Sequence, residues 1–258
     1  MRAAAEAAER QGLQRRYEAA RAEAAGRGVD GEVMAFEAVL ASSVMVNARP
    51  LGDIERLASS DRQGVATYER QLEAGLRLPD REPWNRLRRL AGDALFTDYA
   101  DKVHFASVSL DGTGVENYGE AWLQLRSHCV DHRASAFTSN SATFMQAISY
   151  NQSAAIGHRS TWDERHKVAI AKLAASITTG ATSADLSGLL TRQRATSVDD
   201  EFVEVQIYGS MTVCTIERVL LSKSALVKRG QEKRVTPARL EGLRDDLARF
   251  DVAFEERP

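Results

Sequence analysis

The chain has 258 residues, of which 43% are hydrophobic and 27% are charged, and its formal net charge is −2. Such values are ordinary for a folded globular protein, so they exclude a chain that is disordered throughout. The near-zero charge does not require a polyanionic partner, and the length suits one large domain or a domain of about 150–180 residues with a helical addition. The two cysteines, Cys129 and Cys214, are too few for a disulfide framework and fit a reducing compartment.

No hydrophobic run approaches the ~20 residues that span a bilayer, and the opening sequence MRAAAEAAERQGLQRR lacks the apolar core of a secretory signal. We therefore expect a soluble, cytoplasmic protein with no membrane partner. Its export, or its delivery into a target cell, would require a specialised secretion system.

The first hundred residues have helical periodicity and almost no strand pattern. Residues 2–28 contain ten alanines with Glu and Arg three and four positions apart, which favours a helix with a thin apolar face. We expect this helix to be solvated or to act as a linker. A second helical pattern runs from Asp30 to Asn47 and predicts core positions at Val33, Met34, Phe36, Val39 and Leu40.

Two more helical segments follow Pro50, and Pro83 suits the first turn of the second one. Residues 1–100 are therefore predicted to form an N-terminal helical region. This region is expected to be a small helical bundle that precedes all the strands.

Strand patterns begin at Lys102. The segments KVHFASVSL and YGEAWLQLR alternate polar and apolar residues around the turn-rich loop DGTGVEN, and RASAFTSNSATFMQ predicts a strand that passes into a short helix. The clearest helix is STWDERHKVAIAKLAASITTG, in which Thr161 and Glu164 are spaced as a capping box. A shorter helix, SADLSGLL, precedes the strand pattern DDEFVEVQIYG.

The last helical pattern is TPARLEGLRDDLARF, with Thr236 as the N-cap and Pro237 in the first turn. Strands in the middle of the chain with helices on both sides predict an α+β protein. We expect its strands to lie between Lys102 and Ser222.

Several common site chemistries have no motif here. The chain lacks a Walker-type phosphate loop, a Gly-x-Gly-x-x-Gly turn and a Gly-x-Ser-x-Gly elbow. The segment HCVDH brings His128, Cys129 and His132 close together, but no second paired cluster accompanies it. We therefore predict no metal site.

Three segments look more like parts of a site than of a scaffold. They are VHFASVSL with His104, RASAFTSNSATF with Arg133, Ser135, Thr138, Ser139, Asn140 and Ser141, and DDEFVEVQIYG with Glu204 and Gln206. Each also has a structural interpretation. Glu204 could be a solvent-facing strand residue, His104 a buried side chain with a backbone partner, and TSNS an ordinary turn.

In this order the three segments resemble the mono-ADP-ribosyltransferase family of bacterial toxins and effectors. The similarity is clearest in YGEAWLQLR…RASAFTSNSATF followed by DDEFVEVQIYGSMTVCTIERVLL, and it covers about Lys102 to Ser222. The resemblance implies that residues 101–258 form an ADP-ribosyltransferase-like domain with a split mixed sheet, flanking helices and a cleft for NAD⁺. It also implies a macromolecular acceptor, either protein or nucleic acid, and a cognate immunity protein as a further partner.

The resemblance assigns roles to particular residues. Glu204 takes the place of the catalytic acid, which binds the 2′-hydroxyl of the nicotinamide ribose and stabilises the developing positive charge. His104 or Arg126 takes the place of the first-strand residue that orients NAD⁺, while Ser139 and Ser141 support the acid and shape the nicotinamide pocket. Arg133 is a further candidate for the pyrophosphate, since a guanidinium binds phosphate oxygens in pairs.

The chain also departs from the family pattern. Members that modify arginine usually carry Glu or Gln two residues before the catalytic acid, where this chain has Phe202, and this argues against arginine as the acceptor. An alternative alignment places Gln206 at the catalytic position and Glu204 before it. The hydroxyl segment reads FTSNS in place of Ser-Thr-Ser.

Three functions therefore stay open at this point. The first is an NAD⁺-consuming ADP-ribosyltransferase. The second is a catalytically silent protein-interaction module built on a similar sheet. The third is a nuclease toxin that would use acids with His104 or His166.

Overall fold

The computed structural model describes residues 6–74, 83–192, 200–228, 230 and 235–257. These residues form both helices and a large sheet, which confirms the α+β class. The helices are α1 (Ala7–Gly26), α2 (Asp30–Leu40), α3 (Leu51–Ala58), α4 (Tyr68–Glu73), α5 (Pro83–Phe96), α6 (Ser127–Val130), α7 (Ser141–Ala147), α8 (Arg165–Leu173), α9 (Ser183–Leu190), α10 (Lys223–Lys228) and α11 (Pro237–Ala248). Within the described parts of the chain, no helix is both long and apolar enough to cross a membrane.

Eight strands of the described residues form one mixed sheet in the order β10-β9-β3-β1-β2-β8-β4-β5. The strands are β1 (Val44–Arg49), β2 (Val103–Ser109), β3 (Ala121–Leu125), β4 (Ala134–Phe137), β5 (Arg159–Thr161), β6 (Thr191–Arg192), β7 (Glu201–Phe202), β8 (Glu204–Tyr208), β9 (Ile216–Ser222) and β10 (Ala253–Arg257). Strands β6 and β7 form a separate antiparallel pair. Neighbours in the large sheet run antiparallel, except that β10 runs parallel to β9.

Strand β1 corrects the prediction for the first half of the chain. The helical pattern that begins at Asp30 ends at Leu40, and Val44–Arg49 is a strand in the middle of the sheet between β2 and β3. The run VMV favours an extended backbone, because β-branched side chains pack well on a pleated surface. The prediction that strands lie only between Lys102 and Ser222 is therefore wrong, both for β1 and for β10 at the other end of the chain.

Strands β1 and β2 diverge within the sheet. Strand β1 pairs with β2 only from Val44 to Val46, and it pairs with β3 from Val46 to Arg49. The second half of β1 therefore stays with β3 and leaves β2. This divergence opens a cleft between the two strands.

Helix α1 packs against the rest of the protein and is not a linker, although only Gly12, Leu13 and Ala24 of its residues are buried. Its Leu13 side chain is only 1% exposed, and Gly12 lies so close to Gly157 that a Cβ atom on Gly157 would be 2.6 Å from the carbonyl carbon of Gly12. Arg16 donates a hydrogen bond to the carbonyl of Gly157, and Glu9 accepts one from the backbone N–H of Arg159. Close backbone contact and hydrogen bonds therefore hold the helix beside edge strand β5. The thin apolar face of the helix did not predict this packing.

Other local predictions have mixed outcomes. The capping box of Thr161 and Glu164 is absent, because a 3₁₀ turn over Trp162–Glu164 precedes α8. A capping box does form at Thr182, where α9 begins. Thr236 caps α11 as predicted, whereas Met34, predicted as core, is 55% exposed.

The main hydrophobic core includes residues from both sides of position 100. Phe36 and Leu57 from the first hundred residues belong to the same buried cluster as Val108, Leu123 and Val205 from the sheet. The division of the chain into a region 1–100 and a domain 101–258 stays a prediction about independent folding, for which the Discussion describes a test.

Candidate functional site

A cleft of about 380 Å³ lies where β1 and β2 diverge. Its walls come from the second half of β1, from β2 and from helices α4 and α5. Aromatic side chains contribute much of the lining, namely Tyr68, Trp84, Phe105, Tyr118 and Phe202. Cationic groups reach it from Arg49 and Arg88, and Asp53 supplies a carboxylate.

Glu204 begins β8 and is 0% exposed. It lies opposite Ser107 of β2 and Phe137 of β4. The solvent-facing interpretation of Glu204 is therefore wrong.

Both carboxylate oxygens of Glu204 have donors. Oε2 accepts hydrogen bonds from the guanidinium of Arg88 at 3.1 Å and from the backbone N–H of Ser141 at 3.2 Å. Oε1 accepts a hydrogen bond from the amide of Gln206 at 3.1 Å. This set of contacts fixes the orientation of the carboxylate.

Arg88 of α5 is the cation of this network, and sequence reasoning missed it. It is 5% exposed, and besides Glu204 it donates hydrogen bonds to Ser141 Oγ at 2.9 Å and to Asn140 Oδ1 at 3.0 Å. Its guanidinium carbon lies 4.3 Å from the centroid of the Phe105 ring. Burial is the largest single influence and lowers the pKa of Arg88. The charge and hydrogen bond of Glu204, together with Tyr118 and Tyr68, outweigh it, so the pKa of Arg88 is raised above its ordinary value.

A sequence signal for Arg88 was present but weak. On α5, Asn85, Arg88, Gly92 and Phe96 are buried at helical spacing, so Arg88 lies on the inward face of the helix. An arginine in line with buried positions indicates a partner inside the protein, because buried charges are normally paired. The partner itself, 116 positions away, was not predictable from that pattern.

The TSNS segment is both a turn and part of this network. Asn140 caps α7 by accepting a hydrogen bond from the N–H of Ala142, and its amide donates to the hydroxyl of Tyr118 at 2.9 Å. Ser141 contacts Arg88 and Glu204 directly, while Ser139 is half-buried beside it. The structure thus brings Ser141 and Glu204 together, as the expected site requires.

His104 borders the cleft but lies on the other face of the sheet from Glu204. It pairs with Ile207, whereas Ser107 pairs with Glu204, so the two side chains alternate to opposite faces. Burial, together with the charges of Arg49 and Arg133, lowers the pKa of His104 to about 3. His104 is therefore neutral and does not join the Arg88–Glu204 network.

Arg126 lies away from the predicted cleft. It is at the end of β3, where its side chain donates to the carbonyl of Ile216 at 2.9 Å and pairs with Asp251. Two strands, β1 and β2, lie between β3 and β8 in the sheet, and Arg126 is not among the residues that line the cleft. The structure contradicts its placement beside Glu204.

Arg133 also lies elsewhere. It donates to the carbonyls of Cys129 at 3.0 Å and of Ser210 at 2.9 Å, next to the far end of β8. Four residues of extended chain place this end about 13 Å from Glu204. Both arginines satisfy backbone carbonyls, which a sequence pattern does not distinguish from ligand binding.

Arg49 also lines the cleft, and no sequence pattern singled it out. It lies at the end of β1, most of which the sequence pattern predicts as helix. Its Nε donates to Asn47 Oδ1 at 2.8 Å. Its backbone lies against Gly119, where an added Cβ would be 2.1 Å from the carbonyl carbon of Arg49, so only glycine fits there. The wholly buried Glu120 then accepts the N–H of Leu51 at 2.8 Å and holds the chain as it leaves the cleft.

No protein-family model matches the chain, and the search of curated proteins finds no significant match. Among the residues that the structure describes, no three His, Cys, Asp or Glu side chains form a group that could hold a metal ion. The chemistry of the site therefore follows from its own groups. They are a fixed buried carboxylate, a guanidinium paired with it, and an adjoining cleft lined by aromatic rings and a second arginine.

Proposed function

We propose that the protein transfers ADP-ribose from NAD⁺ to a macromolecular acceptor, with Glu204 as the catalytic acid. The observation that carries this proposal is the contact of Glu204 with Ser141, 63 positions apart, near the cleft between β1 and β2. The aromatic lining supports it further, since planar bases stack on aromatic side chains. The roles of toxin or effector, and an immunity protein as partner, follow from the resemblance alone.

In the proposed reaction the bond between C1′ of the ribose and the nicotinamide nitrogen breaks. Its electron pair leaves with nicotinamide, and positive charge develops on the ribose. A lone pair of the acceptor then forms the new bond to C1′, and the acceptor's proton passes to water. Glu204 accepts a hydrogen bond from the 2′-hydroxyl and stabilises the positive charge, most effectively in a site from which water is excluded.

The surrounding residues hold Glu204 for this role. The backbone N–H of Ser141 and the amide of Gln206 donate to its two oxygens, so the carboxylate is oriented before substrate binds, while Arg88 pairs with its charge in the ligand-free protein. In the resembled family a first-strand arginine or histidine orients NAD⁺. Because β1 is the first strand of this sheet and ends at the cleft, we assign that role to Arg49 in place of His104.

Replacing Glu204 with Gln is the direct test. The change keeps the size of the side chain but removes the charge that stabilises the ribose cation, so nicotinamide release should fall by ~10²–10³. Release of nicotinamide from NAD⁺ is measured by chromatography, and circular dichroism checks that the variant is folded. The control is Glu37→Gln, which alters a carboxylate that is paired with Arg21 at 2.9 Å and does not line the cleft.

Full activity of the Glu204→Gln protein would disprove the mechanism. Loss of activity in Gln206→Ala, without loss in Glu204→Gln, would favour the alternative alignment. Transfer of label from NAD⁺ in a cell lysate, separated into protein and nucleic acid, identifies the acceptor class.

The same experiments decide between the other two functions. In a catalytically silent interaction module, Arg88 and Glu204 only brace the sheet, and the wild-type protein would not bind NAD⁺ at millimolar concentration. A nuclease would cleave nucleic acid without NAD⁺. Its candidate histidines lie apart from Glu204, because His104 is on the opposite sheet face and His166 contacts Glu37.

A further inference from the structure

We propose that Arg88 exchanges partners when a dinucleotide binds, so that Glu204 and the diphosphate of the ligand compete for the same guanidinium. This inference rests on the proposed function and concerns how its site opens. In the ligand-free protein Arg88 is bound to Glu204. In the bound protein it is bound to the diphosphate, and Glu204 is bound to a ribose hydroxyl.

The position of Arg88 is the first reason. Arg88 lines the cleft, whereas Glu204 is 0% exposed and does not. The guanidinium therefore lies between the carboxylate and the space where a ligand would bind. A ribose hydroxyl reaches Glu204 only after the Arg88 side chain has moved.

The balance of charges is the second reason. Separating a buried ion pair is strongly unfavourable when either partner is left alone. A dinucleotide offers both replacements, because phosphate oxygens accept hydrogen bonds from a guanidinium and a ribose hydroxyl donates to a carboxylate. The exchange therefore leaves neither charge unpaired.

The surroundings of Arg88 suit such a movement. Its guanidinium lies over the ring of Phe105 at 4.3 Å and within 5.7 Å of the Trp84 ring centroid, and both rings line the cleft. Aromatic faces attract a guanidinium without fixing it at one point, so the cation keeps a favourable contact as it moves towards the cleft. The raised pKa of Arg88 keeps it charged in the paired state.

Competition between Glu204 and the diphosphate for Arg88 predicts a result that a purely structural role of the Arg88–Glu204 pair does not. If Glu204 holds the guanidinium back from the ligand, removing its charge must strengthen the binding of an anionic ligand. We expect Glu204→Gln, the variant that abolishes transfer, to bind ADP-ribose at least tenfold more tightly than the wild-type protein. A bracing role for the pair predicts unchanged or weaker binding.

The experiment is isothermal titration with ADP-ribose, which carries the diphosphate but cannot react. It uses the full chain as wild type, as Glu204→Gln, as the control Glu37→Gln and as the double variant Arg88→Met/Glu204→Gln. The double variant removes both charges, so it avoids an unpaired buried carboxylate and should fold. We expect tighter binding in Glu204→Gln, wild-type affinity in Glu37→Gln, and affinity at least tenfold below that of Glu204→Gln in the double variant.

Equal affinity of wild type and Glu204→Gln would overturn the exchange, and so would equal affinity of Glu204→Gln and the double variant. Both results are independent of nicotinamide release, so the transferase function could stand while the exchange fails. If neither the wild type nor Glu204→Gln binds ADP-ribose, the exchange is wrong. Absence of nicotinamide release from the wild type would instead reject the proposed function.

Discussion

At the scale of single residues, the candidate site contains a buried ion pair in which each charge stabilises the other. Arg88 and Glu204 have side chains that are 6% and 0% exposed, and they meet at 3.1 Å. Removing one member of such a pair commonly costs about 3–5 kcal/mol, because the other charge is left without a partner. Activity of Glu204→Gln must therefore be compared at a temperature at which both proteins are folded.

His104 makes the stability of the protein depend on pH. In the folded protein the pKa of His104 is lowered from 6.5 to about 3. Between these two pH values the unfolded chain binds a proton at His104 and the folded protein does not. Stability should fall as the pH drops from about 6.5 towards 3. Between pH 7 and 4 this one group should cost roughly 3 kcal/mol, at about 1.4 kcal/mol for each unit of pKa difference.

The measurement is urea denaturation of wild type and His104→Gln at pH 7 and pH 4. The variant cannot titrate and should lose less stability over this range. His128→Asn is the control, since His128 is exposed. Identical pH dependence in wild type and His104→Gln would show that His104 does not cause the acid loss.

At the scale of elements, close backbone contacts decide where helix α1 and strand β1 lie. Gly119 allows the backbone of Arg49 to approach at the cleft, and Gly157 allows α1 to approach the chain before β5. Neither contact follows from amphipathic patterning, because a glycine adds no side chain to an apolar face. The pattern of hydrophobic residues alone therefore does not predict where helix α1 and strand β1 pack.

Replacing Gly157 with Ala should loosen helix α1. Gly157 has a φ of +85°, which L-residues rarely adopt, and the added Cβ would lie 2.6 Å from the backbone of Gly12. We expect a loss of roughly 1–3 kcal/mol and faster tryptic cleavage at the arginines of α1. Melting temperature and limited proteolysis report the two effects.

The matched control for this change is Gly188→Ala on α9, where nothing lies within 4 Å of an added Cβ. It should be neutral or slightly stabilising, since alanine favours helix. Equal behaviour of the two variants would mean that the contact between Gly157 and Gly12 does not hold α1.

At the scale of the whole molecule, the first hundred residues and the rest of the chain contribute strands to the same sheet. Strand β1 comes from the first hundred residues and lies between β2 and β3, which come from the second part. The main core likewise joins Phe36 with Val205. We therefore expect the protein to be stable only when both halves are present.

A fragment of residues 101–258 tests this expectation. Without β1, strands β2 and β3 lose their shared neighbour, and the core loses its N-terminal side chains. We expect the fragment to unfold without a cooperative transition and to bind a hydrophobic dye. Cooperative melting of the fragment alone would support a domain boundary at residue 100.

Local sequence patterns predicted the helices and strands with strong periodicity. They did not predict the role of a residue whose contacts lie far away in the sequence. The strand of His104, the strand-to-helix segment of Ser141 and the capped helix after Thr236 were all predictable, because alternation, turn residues and caps act over a few positions. Strand β1 was not, since VMVN follows a helix without a strong turn signal. Arg126 and Arg133 were misplaced because an arginine bound to carbonyls looks the same in sequence as one that binds a ligand.

The expectation that Glu204 and Ser141 belong to one site came from the resemblance to a known family. The sequence by itself determined the α+β class and most of the helices and strands. These follow from short-range periodicity and from residue chemistry, which are properties of the chain. Only the tertiary structure decided that β1 lies between β2 and β3 and diverges from β2, that Arg49 borders the cleft and that Arg88 pairs with Glu204. The physical reason is that a buried charge requires a partner, and which partner meets it depends on how strands and helices far apart in sequence pack together.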